Sequence, residues 1–154
     1  MPIVIYNMSR HCNFEDNIFI INMRIRVIRD LLFLDADPEL FLDKTLEDVA
    51  FINKTLENLL GNLTINHRYI ERDEQFHNLA ETEWRFQAIL YKLLNEDTVF
   101  PIKTDPQIIE PLKAITKETV ERRKTLEKLC INEIDKPTAE PVVSVDELSE
   151  LLKA

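Results

Sequence analysis

The feature that most constrains the fold is the near absence of glycine, because the 154-residue chain contains one, Gly61. Average usage would supply about ten. Tight hairpins, dinucleotide-binding turns and phosphate-binding loops need glycine for positive φ angles and for close approach to the backbone. Long helices joined by a few loops need almost none. The sequence therefore predicts an all-α fold, and we expect an antiparallel three- to four-helix bundle with a short C-terminal amphipathic helix.

Residues 35–131 have the hydrophobic periodicity of helices that pack in a bundle. The pair Asp37-Pro38 marks the start of the first helix, since aspartate caps free backbone donors and proline loses no hydrogen bond at the first helical position. Leucine and valine then recur at steps of three and four, with Asn53 as one polar interruption. Gly61 is expected to end this helix.

Two further long helices are predicted in the same region. The second covers about 67–95 and has two neighbouring apolar stripes, so it should contact two neighbours. The third begins at Asp105-Pro106 and runs to about Cys130. Thr119 and Arg122 occupy two positions of its apolar seam, so we expect its middle to pack loosely or to face a partner. The residues expected to be buried together are Leu46, Val49, Leu56, Phe76, Trp84, Leu90, Leu112, Ile115 and Leu126.

Residues 1–34 have no single clear pattern. The segment Pro2–Tyr6 is strand-like, whereas isoleucines and a leucine at helical spacing favour a helix over about 17–33. Met23 is an alternative translation start, because nothing before it has a clear periodicity.

The C-terminal residues predict a linker followed by an amphipathic helix. Residues 132–143 contain two prolines and no periodicity, and in 144–154 Ser144 and Glu147 form a capping box. A helix this short is stable only when it packs on another surface. We therefore expect it to be mobile in the free protein and to bind a protein partner. The predicted partner-binding residues are Val145, Leu148, Leu151 and Leu152.

The net charge of −9 restricts the ligands and membranes that the chain can bind. Residues 1–30 contain four arginines and three acidic residues, a balance of +1, so the remainder carries −10. Such a surface repels nucleic acids and anionic membranes, so DNA or RNA binding is not expected unless the small N-terminal arginine cluster provides it. Cys12 and Cys130 have no metal or redox spacing, which suggests a reducing compartment. No apolar run approaches the about 20 residues of a membrane span. We expect a cytoplasmic protein with no nucleic-acid partner and no membrane span.

The segment 72–77 contains the residues that could support an enzyme. Glu74 and His77 form a Glu-x-x-His motif, but ferritin-like bundles need two such motifs, and the chain has three histidines and no second motif. Arg72 and His77 also resemble the Arg-polar-x3-His pattern of HEPN ribonucleases, although five residues on a helix separate their side chains by about 140°. A HEPN-like ribonuclease or a metal-binding helical enzyme is therefore the alternative, and we expect no catalytic residue, metal or cofactor.

From Asp37 to about Cys130, and again in the tail, the chain resembles flagellar export chaperones of the FlgN type. The residues that carry the resemblance are the Leu42-to-Leu63 seam, Glu83-x-Arg85 near Leu90, the Arg122-Arg123 helix, and Val145, Leu148, Leu151 and Leu152. The resemblance implies a small acidic helical chaperone that holds a secreted subunit through its C-terminal segment. The favoured hypothesis is thus a non-enzymatic adaptor or export chaperone. A structural coiled-coil protein that associates with itself is a further alternative.

Overall fold

The computed structural model of the protein describes residues 2–31, 38–65, 72–95, 106–129 and 141–153. These residues form five helices and no strand, which confirms the predicted all-α bundle. The helices are α1 (Pro2–Leu31), α2 (Pro38–Ile65), α3 (Arg72–Leu94), α4 (Pro106–Leu129) and α5 (Val145–Lys153). Residues 132–140 of the predicted linker 132–143 lie outside the described residues.

Two of the predicted helix-start signals coincide with helix starts in the structure. Pro38 and Pro106 are the first residues of α2 and α4, where a proline loses no intrahelical hydrogen bond. At α5 the backbone N–H of Glu147 donates to Ser144 Oγ at 3.1 Å, and the Ser144 N–H donates to Glu147 Oε1 at 3.3 Å. These reciprocal bonds form the capping box that the sequence predicted.

The N-terminal segment is an integral part of the bundle. Helix α1 includes Pro2–Tyr6, so the strand-like interpretation of those residues is wrong, and the helix predicted over 17–33 is present as far as Leu31. Ile21, Ile25 and Ile28 are buried in the same apolar cluster as residues of α2 and α3. Residues 23–27 alternate strictly between apolar and charged side chains, which taken alone would suit an exposed strand, but the spacing of the isoleucines on one helical face outweighs that pattern.

Helix α2 does not end at Gly61 but continues to Ile65. Gly61 lacks the positive φ of a glycine C-cap. A glycine inside a helix costs only about 1 kcal/mol relative to alanine. Continuing the helix beyond Gly61 buries Leu63, which offsets that cost.

Helix α3 lies at the centre of the fold and packs against the other four helices. Six of the nine residues predicted to form the core are buried in one cluster, and Leu46 and Ile115 pack against it partly buried. Trp84 is the exception, because it is half-buried beside the groove between α1 and α3. Its position places the large indole ring at the edge of the core, with the Arg123 guanidinium carbon 6.0 Å from the ring centroid.

Candidate functional site

A buried ion pair joins the middles of α3 and α4. The Arg122 guanidinium donates through Nη2 to Glu83 Oε1 at 2.8 Å and through Nε to Glu83 Oε2 at 3.0 Å. The two side chains are 7% and 1% exposed. Burial raises the pKa of Glu83 above its ordinary value, whereas the charge and hydrogen bonds of Arg122 lower it.

This pair corrects the expectation that the middle of the third predicted helix packs loosely or faces a partner. Thr119 and Arg122 are both buried against α3, and Gln87 Nε2 donates to the Thr119 carbonyl at 3.2 Å. The sequence did contain a signal for this arrangement. Glu83 falls on the seam that runs through Leu79 and Phe86, so both helices place one charge of opposite sign at an apolar position.

The C-terminal helix packs on the bundle. Arg123 Nη1 donates to the Val143 carbonyl at 2.9 Å and to Gln87 Oε1 at 3.1 Å, which fixes the start of α5 against α3 and α4. Leu148 is fully buried beside Val120 and Val143. Of the other predicted partner-binding residues, Val145, Leu151 and Leu152 are half-buried.

The structure therefore differs from the expectation of a mobile tail. The apolar face of α5 is used by the bundle itself, because Leu148 packs in one buried cluster with Val120 of α4 and with Val143. Leu148 cannot contact a partner while α5 stays in this position. The partner-binding role of Val145, Leu148, Leu151 and Leu152 remains a prediction that requires α5 to detach.

The residues of the alternative enzymatic hypothesis lie near the start of α3. His77 is half-buried and Glu74 is exposed, while the Arg72 side chain lies outside the described part of the structure. In the part of the chain that the structure describes, no group of three or more His, Cys, Asp or Glu side chains could hold a metal ion. The Cys12 and Cys130 side chains likewise lie outside the described part of the structure.

Helix α1 has a second apolar face, which points away from the core. We call Phe19, Ile20, Met23 and Val27 the α1 stripe; these side chains are 66%, 41%, 45% and 42% exposed. On a helix with 100° per residue they lie on roughly the opposite side from the buried isoleucines. A helix that is apolar on two opposite faces is typical of one covered on both sides.

The α1 stripe continues onto α2 through a stacked arginine. The Arg24 guanidinium carbon lies 4.2 Å from the centroid of the Phe51 ring, and its Nη1 donates to Asp48 Oδ1 at 2.6 Å. Phe51 is itself 40% exposed. The ion pair with Asp48 holds the Arg24 guanidinium over the ring, so the side chains of α1 and α2 meet at this edge of the stripe.

Comparisons with known proteins provide one sequence relative and no assigned function. The chain is 28% identical over 141 residues to an uncharacterized protein of Treponema pallidum (strain Nichols), which covers 91% of this chain and 72% of that protein. No family model and no solved structure matches the chain. Among the described residues, no helix is both long enough and apolar enough to cross a membrane.

Proposed function

We propose that this protein is a non-enzymatic helical adaptor or chaperone that binds a protein partner through the α1 stripe. The observation that carries the proposal is the exposed apolar face of α1, opposite the face that enters the core. Four of the six exposed large hydrophobic side chains of the described residues lie on this helix. Exposed apolar side chains grouped on one face, unlike single scattered ones, mark surfaces that bind a protein, a ligand or a membrane, and the adaptor proposal assigns this face to a protein.

The proposal moves the binding surface from the tail to the N-terminal helix. The sequence predicted that α5 binds the partner, with the middle of α4 around Thr119 and Arg122 as the second choice. Both regions are occupied by contacts within the bundle, since Leu148 and Thr119 are fully buried. The α1 stripe has no such neighbour among the described residues. We propose further that the protein acts in the cytoplasm, as the export chaperones that it resembles do.

The stripe can supply only part of the binding free energy. Burying the exposed half of each side chain would contribute roughly 1 kcal/mol, or about 4 kcal/mol for the four. Association also costs several kcal/mol of translational, rotational and side-chain freedom. A specific partner must therefore make polar contacts next to the stripe as well.

The test compares two variants with the same change of charge. Phe19→Glu combined with Met23→Glu places two carboxylates on the α1 stripe, while Ala114→Glu combined with Thr125→Glu places two on the exposed side of α4. Each protein is used to capture partners from the native host, and the protein identified by mass spectrometry is purified for affinity measurement. We expect the wild type and the α4 variant to bind it equally and the stripe variant to lose binding, with unchanged melting temperature.

The same variants distinguish the structural alternative. Light scattering measures the mass of each purified protein in solution. A wild-type dimer that becomes a monomer in the stripe variant would show that a second copy covers the stripe, and the adaptor proposal would be wrong. Equal partner affinity of the stripe variant and the wild type would also overturn it.

A further inference from the structure

The groove between α1 and α3 has a charge opposite to that of the chain as a whole. It has a volume of about 590 Å³, and we call it the basic groove. Its charged lining consists of Arg26, Arg29, Arg85 and Lys92 with one acidic residue, Glu81, so the lining carries +3, and the nearby Asp30 beside Arg29 still leaves a net positive charge. The chain carries −9. Because salt screens charges beyond about 8 Å, a ligand in the groove experiences mainly the local positive charge.

We propose that the basic groove binds an acidic peptide segment of the protein partner, with carboxylates at the arginines and an apolar side chain on the floor. This inference rests on the proposed adaptor function and specifies the chemistry of the partner. Arginine matches carboxylates well, because its planar group can donate two parallel hydrogen bonds.

Among the described residues, Arg85 and Arg29 make an ordinary hydrogen bond and two long ion-pair contacts near the surface. Arg85 Nη2 lies 3.5 Å from Glu81 Oε2, and Arg85 Nη1 donates to Asn22 Oδ1 at 3.2 Å. Arg29 Nε lies 3.7 Å from Asp30 Oδ1. Exposed pairs of this length contribute little. An incoming carboxylate can therefore replace them without leaving a buried charge unpaired.

The floor of the groove is apolar. Ile25 and Ile89 are buried beneath it, Trp84 is half-buried at its side, and Val142 is 83% exposed at its edge. A polyphosphate would leave this apolar surface uncovered, and a long polyanion would extend over the acidic remainder of the protein. A short acidic peptide with a large apolar side chain covers both the floor and the arginines.

The groove lies beside the α1 stripe. Arg26 lies one helical turn after Met23 and separates the stripe from the groove on the surface of α1. A partner segment seated on the stripe would reach the groove directly. The polar contacts that the stripe needs for specific binding are available there.

Trp84 makes the proposal directly testable, since it is the single tryptophan of the chain and lines the groove. The probe is a capped peptide of alternating glutamate and leucine, titrated against the full chain while Trp84 fluorescence is recorded. A peptide with glutamine in place of glutamate is the first control. We expect saturable binding of the acidic peptide and at least about tenfold weaker binding of the neutral one.

Two double variants locate the binding site. Arg26→Gln with Arg29→Gln should weaken binding of the acidic peptide at least about tenfold, while Lys124→Gln with Lys128→Gln, on the exposed side of α4, should leave its affinity unchanged. No saturable binding, or equal affinity of both variants, would overturn the proposal. So would arginine-dependent binding of inorganic phosphate or of a short oligothymidylate without binding of the peptide. A negative result with the peptide would not contradict the proposed binding at the α1 stripe, because the stripe is tested with the partner itself and with variants of different residues.

Discussion

Replacing Arg122 by methionine tests the buried ion pair between α3 and α4. Methionine keeps an unbranched side chain but removes all donors, so Glu83 loses its bidentate partner. Glu83 is 1% exposed and cannot recover these bonds from water. Removing one member of a buried pair costs about 3–5 kcal/mol, because it leaves an uncompensated charge. We expect Arg122→Met to lower the free energy of unfolding by about 4 kcal/mol at neutral pH.

The size of this loss should depend on pH. Burial raises the pKa of Glu83 in the folded protein, and Arg122 opposes that effect. Without Arg122 the folded-state pKa rises further. A carboxyl with a raised folded pKa stabilises the fold fully below its unfolded pKa, and this contribution is lost as the pH rises through the folded value. The penalty of Arg122→Met should therefore be smaller at about pH 5 than at about pH 8.

Urea unfolding followed by far-ultraviolet circular dichroism measures both effects. Arg85→Met, the same change at an exposed arginine, is the matched control and should alter stability by less than about 0.5 kcal/mol. Adding Glu83→Gln to Arg122→Met removes the stranded charge, so the double variant should lose less than the sum of the single variants. A loss of under about 1 kcal/mol for Arg122→Met, or one that is equal at both pH values, would refute this reasoning.

Four further predictions concern the core, the single glycine, metal binding and the tail. Leu56→Ala should cost about 2–5 kcal/mol, because Leu56 is fully buried; unchanged stability in urea would contradict the packing of α2. Gly61→Ala should stabilise the protein by about 0.5–1 kcal/mol, since a Cβ there meets nothing within 4 Å; a lower melting temperature would contradict this. His77→Ala should leave the metal content unchanged, with less than about one equivalent of iron or zinc by elemental analysis in either protein. One equivalent of metal in the wild type that is absent from the variant would show that His77 binds a metal. Leu148→Asp should lower the melting temperature, because its charge would be buried unpaired; an unchanged value would return α5 to a partner-binding role.

The parts of the fold that could be predicted are those specified by local chemistry. Proline at the first helical position and the Ser144–Glu147 capping box each act within one turn, so the sequence alone reveals them. The buried seams were predictable for the same reason, because apolar spacing follows the helical period. The burial of Trp84 was predicted wrongly because its place seven residues after His77 and seven before Tyr91 fixes a side of α3 but not which neighbour covers it.

The candidate binding surface depends on packing between helices that the sequence does not determine. The alternation over residues 23–27 arises because α1 has apolar side chains on two opposite faces. Only the packing of α1 shows which of the two faces stays exposed. The basic groove likewise joins Arg26 and Arg29 to Arg85, nearly sixty residues apart in the chain. The sequence shows the arginines of the N-terminal segment, but it does not show which residues of α3 lie beside them.

We expect Glu83 and Arg122 also to fix the alignment of α3 and α4 along their length. Apolar seams that repeat every seven residues could pack almost equally well after one helix slides by one repeat. The charged residues occur only once on these seams. A slide by one repeat would bring Glu83 opposite Ile115 or Leu129, and both Glu83 and Arg122 would then be buried without a partner. The pair thus excludes shifted packings that leucine alone would permit. Apolar substitution of both residues could yield a more stable bundle in which α3 and α4 have more than one register.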